Sequence, residues 1–310
     1  MKALIVNFNL AIDKTVRVPV VRRGGIHRFG GTLTQPGGKG VNVARVLKEL
    51  ACSPVIAGFI SGYNGDWIAD SFLREKFSGL LVRHSAGESR VCFSVVNSLG
   101  ESTDFSEEGP AVPTSAQAQL LRKLAKRAAS FQVAAVCGRM SMGLKNGVYA
   151  RLTRALKKAG CFTAFDTSGP PLLEGLEAGV DLVKINKSEF EEASGLAFSR
   201  QNLRLFFKKY SPLGLKALIV TNGPRTTLAV SQFGMWEARP VPLSLVASPV
   251  GAGDSFMAGF LCGFMKGLPF EANLKLATGC AASDCLTLGA GRISRREAEA
   301  FAGKVQVREL

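Results

Sequence analysis

The chain has 310 residues, of which 46 % are hydrophobic and 20 % charged, enough to bury a large core in one α/β domain or two smaller ones. No low-complexity tract occurs, which excludes a disordered or fibrous protein. A net charge of +15 admits nucleic acid, a membrane surface or small anions as partners. However, no apolar run approaches the roughly 20 residues of a membrane span, and no nucleic-acid-binding motif is present.

The opening "MKALIVNFNLAID" carries a Lys and a short apolar run but no small-residue cleavage site. Asn7, Asn9 and Asp13 interrupt it, so it reads as a first β-strand rather than a signal peptide. Further short apolar runs follow at 54–60, 133–138, 161–167, 181–186 and 216–223. Amphipathic stretches such as 114–130, 145–159 and 187–195 lie between them, and Leu203, Phe206, Phe207 and Tyr210 mark another core stripe. Alternating β and α segments predict a mostly parallel sheet with helices on both faces, and ligands at the carboxyl ends of its strands. Two segments, 14–35 and 88–106, show β-type patterning without a helix. They predict a small separate sheet of four or five strands, a lid over the large domain. With no linker and no internal repeat, residues 1–310 are expected to form one domain.

The seven cysteines, Cys52, Cys92, Cys137, Cys161, Cys262, Cys280 and Cys285, form no C-x-x-C. Nor do they stand at zinc-like spacing from His27 and His84. They are expected to be free, mostly buried thiols of a cytoplasmic protein. The basic clusters "RKLAKR", "RLTRALKK" and "RLFFKKY" lie on helical segments and read as solvated faces.

The chemistry concentrates in glycine-rich turns. In "GAGDSFMAGFLCGFMKG", Phe256, Met257, Phe260, Leu261, Phe264 and Met265 recur as one helical face, with Gly267 and Pro269 as its stop. Asp254 falls in the first turn, behind Gly251, Ala252 and Gly253. Glycines let the backbone turn sharply, and a helix N-terminus offers free N–H groups to an anion, phosphate above all. A carboxylate there can take a proton from a hydroxyl while the N–H groups hold a transferring phosphoryl group. On this stretch alone, Asp254 reads equally well as a plain helix cap. No Walker loop and no G-x-G-x-x-G is present. "PGGKGVNVARVLKEL" is a second glycine turn feeding a helix, with Lys39 and Asn42 at its start. "FDTSG" ends a strand at Asp166, and "VKINKSEFEE" ends one at Asn186 with Glu189 three residues on. Asn186 and Glu189 can share the hydration shell of one Mg²⁺, or form a capping box.

Four polar clusters at strand ends, in this order, resemble the ribokinase-like (PfkB) carbohydrate kinases. "PGGKGVNVARVL" resembles the first signature of that family, "VGAGDSFMAGF" the second and "NKSE" its N-x-x-E element. "NLAID", "GGIHR", "FDTSG", "LVKIN" and "TDFSEEGP" are similar to elements of its sugar-phosphate branch of 1-phosphofructokinases, tagatose-6-phosphate kinases and minor 6-phosphofructokinases. The resemblance implies Asp254 as catalytic base and Gly251, Ala252 and Gly253 as anion hole. It implies Mg²⁺ ordered by Asn186 and Glu189 with Asp166 nearby, and ATP facing Lys184, Asn186, Thr221 and Gly223. Asp13, Gly38 and Asn42 would hold sugar hydroxyls; Lys39 and Arg90 would meet the sugar's phosphate, with Arg28 a weaker candidate, and Arg139, a departure from the branch, could bind a phosphate through its guanidinium fork. The branch often dimerises through its lid, so a homodimer is expected.

Several positions depart from the branch pattern. Pro249 stands in place of Thr, Thr226 in place of a second glycine, Arg139 in place of Ser and Cys92 in place of Asn. "NLAID" lacks the branch's proline. The expectation is an ATP- and Mg²⁺-dependent kinase of fructose 1-phosphate, fructose 6-phosphate or tagatose 6-phosphate, with no nucleic-acid or membrane partner. The rivals are a kinase of an unphosphorylated sugar or nucleoside, against which Lys39 and Arg90 would stand unpaired, and a silent sugar-phosphate-binding regulator.

Overall fold

A computed structural model describes residues 1–310. The chain opens with β1 (Lys2–Asn9), β2 (Ala11–Arg17) and β3 (Thr32–Gly37), then α1 (Lys39–Glu49), β4 (Ser53–Ser61), α2 (Gly62–Arg74) and β5 (Ser78–His84). β6 (Arg90–Val96) and β7 (Ser102–Ser106) follow, then α3 (Thr114–Arg127), β8 (Val133–Cys137), α4 (Val148–Lys158), β9 (Phe162–Asp166) and α5 (Pro170–Glu177). β10 (Leu182–Asn186), α6 (Lys187–Ser194), α7 (Arg200–Tyr210), β11 (Ala217–Thr221), β12 (Thr227–Ser231) and β13 (Gly234–Arg239) come next. α8 (Ala252–Met265), α9 (Phe270–Asp284), α10 (Arg295–Ala302) and β14 (Gln306–Glu309) complete it.

The large sheet runs β14-β13-β12-β11-β10-β9-β8-β1-β4-β5. From β11 to β5 every pairing is parallel; β12, β13 and β14 add an antiparallel edge. Strands buried on both faces need unbroken apolar runs. β1 shows this, with Ala3 to Asn9 all buried between β4 and β8. Strand order departs in both directions from the β1–β8 pair, which makes that pair the switch point where such folds bind ligands. Two core clusters cover the faces. One contains Leu120, Leu152, Leu203, Phe206 and Tyr210, with Phe207 at its margin; the other contains Val43, Val46, Leu47 and Leu50 of α1 with α8 and α9.

The small sheet has four strands in the order β3-β2-β6-β7. It is mixed: β2 pairs antiparallel to β3 and parallel to β6, and β6 antiparallel to β7. Its strands begin at Ala11 and end at Gly37 on the first excursion, wider than the β-type patterning marked.

The helix of the second signature departs from its expected one-sided stripe. Asp254 to Gly263 are all buried, and Phe264 alone turns 37 % of its surface outward. Gly259 explains the close packing: a Cβ there would lie 2.8 Å from the Cα of Ala277 and 2.9 Å from the Sγ of Cys280 on α9. All seven cysteines are free thiols; Cys92 and Cys285 are half-buried and the rest buried.

Candidate active site

α1 is capped by a glycine, Gly38, where a side chain does not fit. Gly38 has φ +100°, and a Cβ there would lie 2.7 Å from Asn7 Nδ2. The Gly38 N–H donates to Asp13 Oδ2 at 3.2 Å, and the Gly40 N–H donates to Asn7 Oδ1 at 3.0 Å. Asn7, buried in β1, therefore serves the first signature from the adjacent strand. In the sequence it shows only as an interruption of an apolar run, and that polarity is the one signal available there.

Lys39, the first residue of α1, reaches across the strand ends. Its Nζ lies 3.2 Å from Asp166 Oδ1 and 3.3 Å from Glu189 Oε1. Lys184 Nζ donates to the other oxygen, Asp166 Oδ2, at 2.8 Å. Burial works to raise Asp166, but the two ammonium groups outweigh it and hold the carboxyl below its ordinary range. Burial likewise works to lower Lys39; Asp166, Glu189 and Asp254 outweigh it and hold the lysine charged.

Asp254 sits in the first turn of α8, 7 % exposed, with Asn42 Nδ2 donating to its Oδ2 at 2.9 Å. Burial first and the charge of Asp166 second push it up to about 7, against the pull of Lys39, Lys184 and the Asn42 amide. A carboxylate poised there suits a general base near neutral pH. Before it, Gly251 takes φ +96° as the helix cap. Gly253 lets Lys184 close in, since a Cβ there would lie 2.9 Å from its Nζ. The Ala252 N–H is turned onto the Pro249 carbonyl at 3.3 Å.

An open cleft of about 570 Å³, lined by no hydrophobic residue, opens beside Lys39 and Glu189. It gathers Lys39, Arg139, Asn186, Glu189, Thr221 and Gly223 from among the expected residues. Asp254, Asn42 and Lys184 do not line it: Lys184 shares Asp166 with Lys39, and Asn42 bonds Asp254. Asp13 is half-buried on β2, its carboxyl raised by burial against the Gly38 N–H and Arg90. Arg90 turns its guanidinium onto the carbonyls of Asn9 and Glu107, at 3.3 and 3.2 Å. Arg28 is not brought to the cleft by any contact; it lies on the exposed connection between β2 and β3, with no hydrogen bond or ion pair.

Asn186 and Glu189 form the capping box. Asn186 Oδ1 accepts from the Glu189 N–H at 2.9 Å, and Glu189 Oε2 accepts from the Asn186 N–H at 2.8 Å. Glu189 Oε1 remains on the cleft side, facing Lys39. No group of three acidic, His or Cys side chains converges to cage a metal. Both Asp166 oxygens are committed to lysines, so the set does not offer Asp166 as a direct ligand. Glu189 and Asn186 on the rim fit a hydrated ion carried mainly by phosphates and water, which is how Mg²⁺ is commonly held.

A glycine-turned helix start, a buried carboxylate and two lysines near a polar cleft are an arrangement that can serve phosphoryl transfer on an α/β sheet. Residues 6–296 match the family model described as pfkB family carbohydrate kinase. The chain belongs to that family. It is 28 % identical over 282 residues to the 1-phosphofructokinase of Haemophilus influenzae, spanning 89 % of this chain and 88 % of the relative. It is 25 % identical over 311 residues to the tagatose-6-phosphate kinase of Staphylococcus epidermidis, spanning 99 % of each. The structure of the tetrameric inhibited form of phosphofructokinase-2 from Escherichia coli superposes with a TM-score of 0.85 at 21 % identity, over 98 % of both chains. The ribokinase-like architecture expected from the motifs is the architecture present.

Proposed function

We propose that this carbohydrate kinase phosphorylates a ketohexose phosphate to the bisphosphate, using ATP with Mg²⁺. Fructose 1-phosphate, fructose 6-phosphate and tagatose 6-phosphate are the acceptors considered. The observation that carries the reading is Asp254, buried in the first turn of α8 behind Gly251 and hydrogen-bonded by Asn42, within the field of Lys39 and Lys184. In this reading Asp254 takes the proton of the attacking hydroxyl. The N–H groups of Gly251, Ala252 and Gly253 then receive the transferring phosphoryl oxygens once the Ala252 N–H leaves Pro249. Lys184, Thr221 and Gly223 face the nucleotide; Asp13, Gly38 and Asn42 orient the sugar; Lys39 and Arg139 lie toward its phosphate, with Arg90 at the lid edge. Glu189 and Asn186 hold the hydrated Mg²⁺ from outside. Bound there, the ion supplies charge neutralisation between the phosphates. The small sheet carries Asp13 and Arg90 on neighbouring strands, so its closure would exclude water from the transfer. The seven free thiols support a reducing, cytoplasmic setting.

One observation favours a second reading, an unphosphorylated acceptor. Lys39 is already paired with Asp166 and Glu189, and Arg90 with two carbonyls, so an uncharged sugar would not strand them. The expectation that an uncharged acceptor would leave both cations unpaired does not hold. Unpaired Arg139 and the named relatives weigh toward the phosphorylated acceptor. Measuring ATP consumption with Mg²⁺ against the three ketohexose phosphates, free fructose, ribose and adenosine decides it. Turnover confined to the sugar phosphates is the expected result. Turnover only with uncharged acceptors overturns it. Silence, with a sugar phosphate still raising the melting temperature, identifies a regulator.

We further infer that residues 1–310 act as one unit and pair as a homodimer through the small sheet. Exposed Val20, Val21, Ile26, Phe29, Leu99 and Phe105 are apolar groups on or beside that sheet. Light scattering should return twice the chain mass; a monomer at micromolar concentration sinks the dimer.

A further inference from the structure

Arg45 lies one turn beyond Asn42 on α1, and four of the five N–H groups of its guanidinium are engaged. Nη1 donates to Asn42 Oδ1 at 3.1 Å and to the Ala290 carbonyl at 3.0 Å. Nη2 donates to the Pro36 carbonyl at 2.7 Å, and Nε meets Glu75 Oε2 at 3.4 Å. Only 12 % of the side chain is exposed, so these bonds are sheltered from competing water.

An arginine donates and never accepts. The Asn42 atom turned toward it must therefore be the carbonyl oxygen. The amino group of the same amide is then left to face Asp254, where it donates to Oδ2. Turned over, the amide would set its oxygen against a carboxylate and its amino group against a guanidinium. Both contacts would be repulsive. The two partners thus specify one orientation, and Arg45 is the one that does not change charge during a reaction.

We propose that Arg45 is a positioning residue for phosphoryl transfer. By locking the Asn42 amide it commits Asp254 Oδ2 to a hydrogen bond and leaves Oδ1 as the atom that receives the acceptor's proton. The inference rests on the reading of Asp254 as the general base. Two further contacts fit it. Ala290, held by Arg45, packs where a Cβ on Gly251 would lie, and Pro36, also held, leads into the Gly38 turn. One guanidinium therefore braces the base's hydrogen-bond donor and both glycine turns.

The charged groups around the pair are few. Asp254 is faced by Lys39 on α1, Asp166 on β9, Lys184 on β10 and Asp284 on α9. Arg45 is faced by Glu75, Arg292, Asp13 and Asp284. Among the side chains, Asn42 alone donates a hydrogen bond to the Asp254 carboxylate. That bond favours the ionised form, so loosening it raises the pH at which Asp254 gives up its proton.

The test is the pH profile of kcat/KM for Arg45→Met, Arg45→Lys, Asn42→Ala and the double variant Arg45→Met/Asn42→Ala. Arg45→Met should move the acid limb upward by about one pH unit, the order expected for one hydrogen bond to a charged group. That is roughly a tenfold loss of kcat/KM below the limb. In the Asn42→Ala background the same substitution should move the limb no further. Arg45→Lys keeps the charge but lacks the fork, so it should fall between. If Arg45 is scaffold only, melting temperature falls while the limb stays in place, or the two shifts add; either result overturns the proposal. Should Arg45→Met fail to fold, Arg45→Lys with and without Asn42→Ala makes the same comparison. Asp254→Asn separates the two readings. If it stays active, the base assignment fails; if it is inactive while the Arg45 limb is unmoved, positioning alone fails.

Discussion

Asp254→Asn is expected to lower kcat by about 10²–10⁴, the usual contribution of a general base. The substitution keeps the shape of the side chain and removes its ability to take a proton. Sugar-phosphate binding should stay nearly intact, because Asp13, Gly38 and Lys39 lie on other elements. The wild-type kcat/KM should rise with pH through about 7, where Asp254 ionises, and that acid limb should vanish from the residual activity of the variant. Stability should move the opposite way. The carboxyl is raised on folding, so the native state holds a proton that the unfolded chain releases between about 4 and 7. Native stability is therefore drawn down as pH climbs through that window, and the amide is spared the loss. The melting temperature of Asp254→Asn at pH 8 should equal or exceed that of the parent. Loss of binding as severe as the loss of kcat, with a lower melting temperature, would make Asp254 a structural cap instead.

Gly251→Ala should remove activity by a different route. At φ +96° a side chain costs about 1–2 kcal/mol in backbone strain. The new Cβ would also lie 2.7 Å from the Cα of Ala290 and 2.7 Å from Asp284 Oδ2. Ala290 cannot yield cheaply, because Gln35 and Arg45 both donate to its carbonyl. Overpacking of this kind adds roughly 1–3 kcal/mol. Any relief through the start of α8 displaces the N–H groups that would receive the phosphoryl oxygens, a loss of about 10²–10³ in kcat. Gly160→Ala isolates the strain: Gly160 has φ +84°, and a Cβ there would meet nothing within 4 Å, so its variant should lose stability and keep kcat. Equal melting shifts in the two variants, with kcat retained in both, would remove the anion hole from the start of α8.

The local features of this protein are legible in its sequence because they obey short-range rules. Apolar runs bounded by polar residues mark six of the parallel strands, and glycine before an apolar stripe marks the starts of α1 and α8. The antiparallel edge is not legible in that way: the place of β12, β13 and β14 follows from successive pairing outward from β11 rather than from their own composition. The burial of α8 on every side is also hidden, since periodicity reports one apolar face and cannot say how many neighbours a helix has.

By itself, then, the sequence determined which residues stand at strand ends and helix starts, and through its two signatures the family. Only the tertiary structure decided which of them meet. Lys39 joins Asp166 across 127 positions and Asn42 joins Asp254 across 212. Only the fold set Asp166 between two lysines, paired Lys39, the cation expected to meet a sugar phosphate, and brought Asn7 and Arg45 to the two glycine turns. The physical reason is that turn and helix preferences act over a few residues, whereas the field and hydrogen bonds at a buried group depend on distance in space, which strand order sets.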